Sequence, residues 1–172
     1  MTKYLEQSVL SIRSFYVLSL AEKNKRLCFL ARFFVPLHPK NNSKLFAMKQ
    51  QINTTAAPAA IGPYSQAIEA NGIVFVSGQL PIDPATGAFA EGGIKELTRQ
   101  SLTNMKAILA EAGLTMANVV KTTVFLADMA DFAEMNEVYA SFFEGVCPAR
   151  SAVAVKTLPK EARVEIECIA VR

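Results

Sequence analysis

Histidine, closely spaced glycines and patterned cysteines are almost missing from this sequence of 172 residues. The only histidine, His38, stands near the N-terminus, so the rest of the chain cannot hold a Ser-His-Asp triad, a Cys-His pair or a histidine-containing zinc site. None of the eight glycines forms a G-x-G pair, so neither a dinucleotide-binding fingerprint nor a phosphate loop is available. The cysteines, Cys28, Cys147 and Cys168, share no metal-binding or redox spacing. These absences predict a reduced, cytoplasmic protein whose chemistry uses neither a metal nor another cofactor.

Positive charge is unevenly distributed and divides the chain near Met48. Residues 1–47 carry eight Lys and Arg against two Glu, which gives +6, whereas residues 48–172 carry ten against thirteen Asp and Glu, which gives −3. The acidic second part argues against nucleic acid as a partner. Arginines interrupt the apolar stretches of the first part before about 18 residues, so no membrane span is predicted. We expect residues 48–172 to form the domain and residues 1–47 to be a transit segment or a non-native upstream extension.

The domain reads as an α+β fold of the order β-β-α-β-α-β-β, with both helices on one face of a sheet. Asn71-Gly72 predicts a two-residue hairpin turn. Apolar residues at helical spacing predict a helix over about 93–112, ended by Gly113. The β-branched run 119–126 predicts a strand, and Asp131 with Glu134 resembles a capping box that opens a second helix.

The face of the sheet that the helices leave open should be apolar, since it carries Phe75, Phe125, Ile169 and Val171. An apolar face of this kind would be exposed in a monomer. We therefore expect self-association through the sheet, with sites formed between subunits.

The last 26 residues hold the clearest candidate chemistry. Arg150 begins an alternating strand, and a return strand over 164–171 places Glu165 and Glu167 on one side, which predicts a hairpin with a guanidinium and a carboxylate on neighbouring strands. A guanidinium can hold a substrate carboxylate, and a glutamate can deprotonate water. The alternative interpretation is a solvated strand face with a surface ion pair.

Five segments together resemble the Rid family (YjgF-like) of reactive intermediate deaminases, most closely its RidA branch. They are APAAIGPYSQAI (57–68), VSGQLPIDPATG (76–87), TRQSLTNMKAILAEAGL (98–114), VVKTTVFLADMADFAEMNEVYASFF (119–143) and PARSAVAVKTLPKEARVEIECIAVR (148–172). The resemblance covers residues 54–172 in order. It implies a homotrimer with a chorismate-mutase-like fold and clefts between subunits. It also implies hydrolysis of 2-imino acids, the products of pyridoxal-phosphate-dependent dehydratases, to 2-oxo acids and ammonia, without a cofactor.

The same resemblance implies roles for particular residues. Arg150 of PARS would bind the substrate carboxylate and Glu165 of VEIE would activate water. Tyr64, Ser77, Gly78, Asn136 and Ala152 would complete the substrate-binding site. Against these roles, Tyr64 could be a packed ring, Ser77 a strand end, Asn136 a solvated helix residue and Glu167 the structural partner of Glu165.

Two departures from the RidA pattern bear on substrate choice. Many members of the branch have cysteine where this chain has Ala152, and the loop 144–147 is short for the branch. Two other functions remain open: a non-enzymatic trimeric protein that binds small ligands or protects against stress, and an RNA-cleaving inhibitor of translation. The second fits poorly with an acidic domain that lacks histidine.

Overall fold

The Asn71-Gly72 pair turns the chain between two antiparallel strands in the computed structural model, which describes residues 49–172. Asn71 has φ of 54° and Gly72 has φ of 76°, the left-handed values that a tight two-residue hairpin needs. The predicted hairpin is therefore confirmed.

Six strands and two α-helices make up the described part of the chain. The strands are β1 (Gln50–Ile52), β2 (Ala67–Ala70), β3 (Ile73–Gln79), β4 (Val119–Leu126), β5 (Ala149–Ala154) and β6 (Val164–Val171). The helices are α1 (Ile94–Glu111) and α2 (Phe132–Ala140). The order agrees with the predicted α+β class and adds one short strand, β1, ahead of the first predicted one.

The strands form one mixed sheet in the order β1-β2-β3-β6-β4-β5. β6 lies between β3 and β4 and is antiparallel to both, whereas β5 pairs only with β4, in parallel. The predicted hairpin between β5 and β6 is therefore wrong. The segment between these strands is a crossover rather than a tight turn, and it carries β6 past β4 into the middle of the sheet.

The end of α1 follows its sequence signal, but the start of α2 does not. Gly113 has φ of 71°, its N–H donates to the carbonyl of Ala110, and the N–H of Leu114 donates to that of Leu109, which is a Schellman cap. The predicted capping box at Asp131 is absent, since the Asp131 side chain makes no cap hydrogen bond. The Asp131 carboxylate instead pairs with Arg163, because α2 docks beside the beginning of β6.

Alternation along the strands separates a buried face from an open one. Val164, Ile166 and Cys168 of β6 are buried in the core with α1, whereas Glu165 and Glu167 between them are half-buried. The open face exposes Ile73 at 37%, Phe75 at 46% and Val171 at 37%. The predicted apolar second face is thus present in the described chain.

The expectations for residues 1–47 lie outside the described residues. Within residues 49–172, neither helix is long and apolar enough to cross a membrane.

Candidate active site

Glu165 lies against the backbone of Gly78, at the edge of the open face. A Cβ atom added to Gly78 would stand 2.0 Å from Oε1 of Glu165 and 2.8 Å from its carboxyl carbon. Ser77 precedes this glycine, and its hydroxyl donates to the carbonyl of Ser65 at 2.8 Å. The structure therefore brings together three of the predicted residues, Ser77, Gly78 and Glu165, which we call the glutamate cluster.

The environment of Glu165 changes its acidity. Burial of the carboxyl group raises its pKa above the ordinary glutamate value, and the nearby negative charge of Glu167 raises the pKa further. A carboxylate with a raised pKa is a stronger base when ionised, which suits proton abstraction from water.

Tyr64 is connected to the glutamate cluster through its neighbour in sequence, Ser65. It directly precedes Ser65, whose carbonyl accepts the Ser77 hydroxyl hydrogen bond. The Tyr64 side chain is 51% exposed, and its hydroxyl oxygen accepts a hydrogen bond from the N–H of Ile61 at 3.4 Å. The ring is therefore not packed into the core of the described chain, and its role in a site remains a prediction.

Arg150 lies in a different environment, beside α2. Its guanidinium carbon is 4.4 Å from the ring centroid of Tyr139 and 5.6 Å from that of Phe132. Asn136 is half-buried, and in the sequence it lies four residues after Phe132 and three before Tyr139. This spacing places the three side chains on one face of α2. Ala152 follows Arg150 on the same side of β5 and packs against the core. We call Arg150, Asn136 and Ala152 the arginine cluster.

The two clusters lie on opposite faces of the sheet within one chain. Arg150 is in register with Thr122, whose hydroxyl is buried against α2, whereas Glu165 is in register with Phe125 on the open face. β4 separates the two strands, and the registers differ by three residues, or about 10 Å along a strand. The structure therefore does not bring Arg150 and Glu165 onto neighbouring strands, which corrects the hairpin prediction.

A pocket within residues 49–172 belongs to neither cluster. It has a volume of about 530 Å³ and lies between α1, the segment Thr115–Ala117 and the loop after α2, including Glu144 and Val146. None of the predicted site residues lines it.

Sequence reasoning missed the aromatic surroundings of Arg150. The sequence analysis did not single out Tyr139, which is buried at 4% exposure. The signal that could have revealed more is the seven-residue spacing from Phe132 to Tyr139, which gives α2 two aromatic rings on one face.

A first prediction tests the contact between Gly78 and Glu165. Gly78→Ala should lower kcat by about 10-fold or more, because the new methyl group would displace the carboxylate that is predicted to act as base. The melting temperature should change little, since the displaced atoms belong to a flexible side chain. Gly93→Ala is the matched control, because its Cβ would meet only Glu96 at 3.6 Å. Full activity in Gly78→Ala, measured by steady-state kinetics, would contradict this placement of the base.

Comparison with known proteins places this chain and its fold in one class of protein. The sequence model of the family described as Endoribonuclease L-PSP matches residues 54–172. The 2-iminobutanoate/2-iminopropanoate deaminase of Mus musculus is 50% identical over 125 residues, covering 73% of this chain and 93% of the mouse protein. The chloroplastic Reactive Intermediate Deaminase A of Arabidopsis thaliana is 51% identical over 122 residues, covering 71% of this chain and 65% of the plant protein.

A solved structure agrees with these sequence matches. A protein of the conserved Rid family from Yersinia pestis superposes with a TM-score of 0.70 at 50% identity, covering 72% of this chain and 99% of that one. Fold and sequence matches thus define an α+β protein of the Endoribonuclease L-PSP class. The chain belongs to the Rid (YjgF-like) family within that class, and its relatives include proteins named for the RidA branch.

Proposed function

We propose that this protein hydrolyses reactive 2-imino acids, such as 2-iminobutanoate and 2-iminopropanoate, to 2-oxo acids and ammonia. The observation that carries the proposal is a pair of clusters suited to the two ends of such a substrate. Arg150 has no ion-pair partner within residues 49–172, so its fork is available for a carboxylate. Glu165 offers a base of raised pKa. The mammalian relative at 50% identity carries the name of this activity.

In the proposed reaction, Arg150 binds the substrate carboxylate through two parallel N–H···O bonds and thereby fixes the imine carbon. A water molecule attacks the carbon of the protonated imine while Glu165 accepts one of the water protons, and a neutral carbinolamine forms. The protonated Glu165 then returns this proton to the nitrogen. The C–N bond breaks and ammonia leaves as the hydroxyl group gives its proton to the Glu165 carboxylate and becomes the 2-oxo group, and Glu165 finally releases that proton to solvent. One imine and one water thus yield one 2-oxo acid and one ammonia.

This reaction needs both clusters at one substrate, and the geometry supports their meeting between two copies of the chain. One chain presents Arg150 and Glu165 on opposite faces of its sheet, so a small molecule cannot touch both. The exposed apolar residues Ile73, Phe75 and Val171 on the open face favour association of that face with another copy. In a homotrimer, which the family resemblance implies, cyclic symmetry would repeat the same contact between each subunit and the next and so form a closed ring.

Mixing two inactive variants tests the shared site directly. Arg150→Ala and Glu165→Gln should each lose about 100-fold or more in activity, but unfolding and refolding them together should restore about a quarter of the wild-type activity. In an equal mixture that assembles at random, about a quarter of the interfaces combine a subunit with intact Arg150 and a neighbour with intact Glu165. The measurement is activity after co-refolding, with each variant refolded alone as control and light scattering to report the assembly. If the mixture stayed inactive while forming mixed oligomers, the two residues would not act across an interface.

The decisive test of the function is a coupled assay with a threonine dehydratase, which generates the imine in solution. The protein should accelerate release of 2-oxobutanoate, including after chelator treatment, because the proposed mechanism uses no metal. Binding of 2-oxo acids without acceleration would indicate the non-enzymatic ligand-binding alternative. Cleavage of RNA by the purified protein, with no imine hydrolysis, would instead support the activity that the family description names.

A further inference from the structure

The side chain that holds Arg150 in place is a tyrosine from the neighbouring helix. The guanidinium carbon lies over the Tyr139 ring at 4.4 Å from its centroid, and over Phe132 at 5.6 Å. The electron-rich face of an aromatic ring attracts a cation, and this attraction uses none of the five N–H donors of arginine. The rings therefore order the guanidinium while leaving its fork free for a ligand.

Tyr139 is itself rigidly held. Its hydroxyl shares a hydrogen bond of 2.7 Å with Oγ1 of Thr122, a residue that is fully buried, and its ring lies 4.7 Å from that of Phe143. Thr122 is also the residue of β4 that lies in register with Arg150. Thr122 therefore contacts both partners of this interaction, since its backbone lies in register with Arg150 and its hydroxyl bonds the Tyr139 hydroxyl.

Such ordering matters because a free arginine side chain has several rotatable bonds. A side chain that is already ordered loses less conformational entropy when a ligand binds, so pre-ordering increases affinity. In residues 49–172 no carboxylate pairs with Arg150, which leaves the aromatic rings as its ordering contacts.

We propose that Tyr139, assisted by Phe132, is a positioning residue that pre-orders the Arg150 guanidinium for a substrate carboxylate. The inference rests on the proposed function in that the ligand is taken to be a small 2-oxo or 2-imino acid. It assigns the ring of Tyr139, rather than its hydroxyl, to substrate affinity. The hydroxyl bond to Thr122 then serves stability.

Three variants separate the ring from the hydroxyl. Tyr139→Leu removes the ring, whereas Tyr139→Phe keeps the ring and loses the hydrogen bond to Thr122. Thr122→Val removes the same hydrogen bond from the other side and leaves the tyrosine intact. Tyr139→Phe and Thr122→Val should both lower the melting temperature, because each removes one hydroxyl of the pair and leaves the other hydroxyl buried without its hydrogen-bond partner. Neither should weaken ligand binding by more than about 3-fold.

Tyr139→Leu should raise the Kd for 2-oxobutanoate, measured by calorimetry, and the KM for the imine by about 10-fold, which corresponds to about 1.4 kcal/mol. The kcat should remain within about 3-fold of wild type, since the base is untouched. If Tyr139→Leu fails to fold, Phe132→Leu replaces it, with a smaller increase of about 3-fold because its ring is more distant. Unchanged Kd in the folded ring-deletion variant would overturn the inference, and so would equal weakening in Tyr139→Phe.

A nuclear magnetic resonance measurement tests the contact without relying on catalysis. The Arg150 Nε–Hε resonance should show a ring-current shift that becomes much smaller in Tyr139→Leu, where only the more distant Phe132 ring remains, and that persists in Tyr139→Phe. If the wild-type protein showed this shift but neither turned over the imine nor bound 2-oxobutanoate, the proposed function would fail while the ordering role stood. Absence of any difference between the variants would remove the ordering role itself.

Discussion

Replacing Arg150 by alanine should lower kcat/KM for imine hydrolysis by about 100-fold to 1,000-fold, because the variant cannot make the two charge-assisted hydrogen bonds that we propose between Arg150 and the substrate carboxylate. Arg150→Lys should remain impaired by about 10-fold or more. An ammonium keeps the charge but cannot donate two parallel bonds, and it stacks less well over Tyr139. The dehydratase-coupled assay measures both variants at several substrate concentrations, and most of the loss should fall on KM.

Arg172→Lys provides the matched control for this change. Arg172 is also at the sheet, but it is ion-paired with Glu69 at 2.6 Å and lies at the end of β6 remote from both clusters. Its replacement should leave activity unchanged. Wild-type kinetics in Arg150→Ala would refute the assignment of the carboxylate-binding residue.

Replacing Glu165 by glutamine should lower kcat by about 100-fold to 10,000-fold, because the amide has the shape of the carboxylate but cannot accept a proton from water. The KM should change less than kcat, since in the proposed mechanism Arg150 and not Glu165 holds the substrate carboxylate. Glu167→Gln is the matched control, since Glu167 lies two residues along on the same face of β6. Glu167→Gln should keep most of the activity.

The pH dependence makes the Glu165 prediction more specific. The proposed mechanism requires the ionised carboxylate, so the rate should fall as the pH falls through the pKa of Glu165, which is raised above the ordinary glutamate value. Burial is the larger cause of that raised pKa and the charge of Glu167 is the smaller one. Glu167→Gln should therefore lower the pKa of Glu165 by the smaller of these two contributions, and the acid limb of the kcat/KM profile should move to lower pH by the same amount. An unmoved limb would mean that another group controls the profile.

Local sequence signals predicted most of the secondary structure because they act over a few residues. Asn71-Gly72 specified its hairpin through positive φ values, and Gly113 ended α1 because it adopts a left-handed conformation. The capping box at Asp131 failed because its carboxylate pairs with Arg163, which is 32 residues away. A local pattern cannot reveal a competing partner so distant in sequence.

The sequence by itself also determined the candidate chemistry of this protein. It has one histidine and no G-x-G pair, and it contains the IGPYSQA, SGQ, PARS and VEIE segments that name the family and the residues Arg150 and Glu165. These are properties of residue type and order, which do not depend on how the strands pair.

Only the tertiary structure decided where those residues lie. Alternation along β6 showed that Glu165 and Glu167 share a side, but it could not show that β4 would lie between β5 and β6. The order of the strands depends on how their buried faces pack against α1 and α2, and this packing involves contacts across the whole sheet between residues that are distant in sequence. That packing puts Arg150 over Tyr139 on the helix face and Glu165 beside Gly78 on the open face. The separation of these two residues within one chain is therefore a consequence of long-range packing, which local sequence patterns do not express.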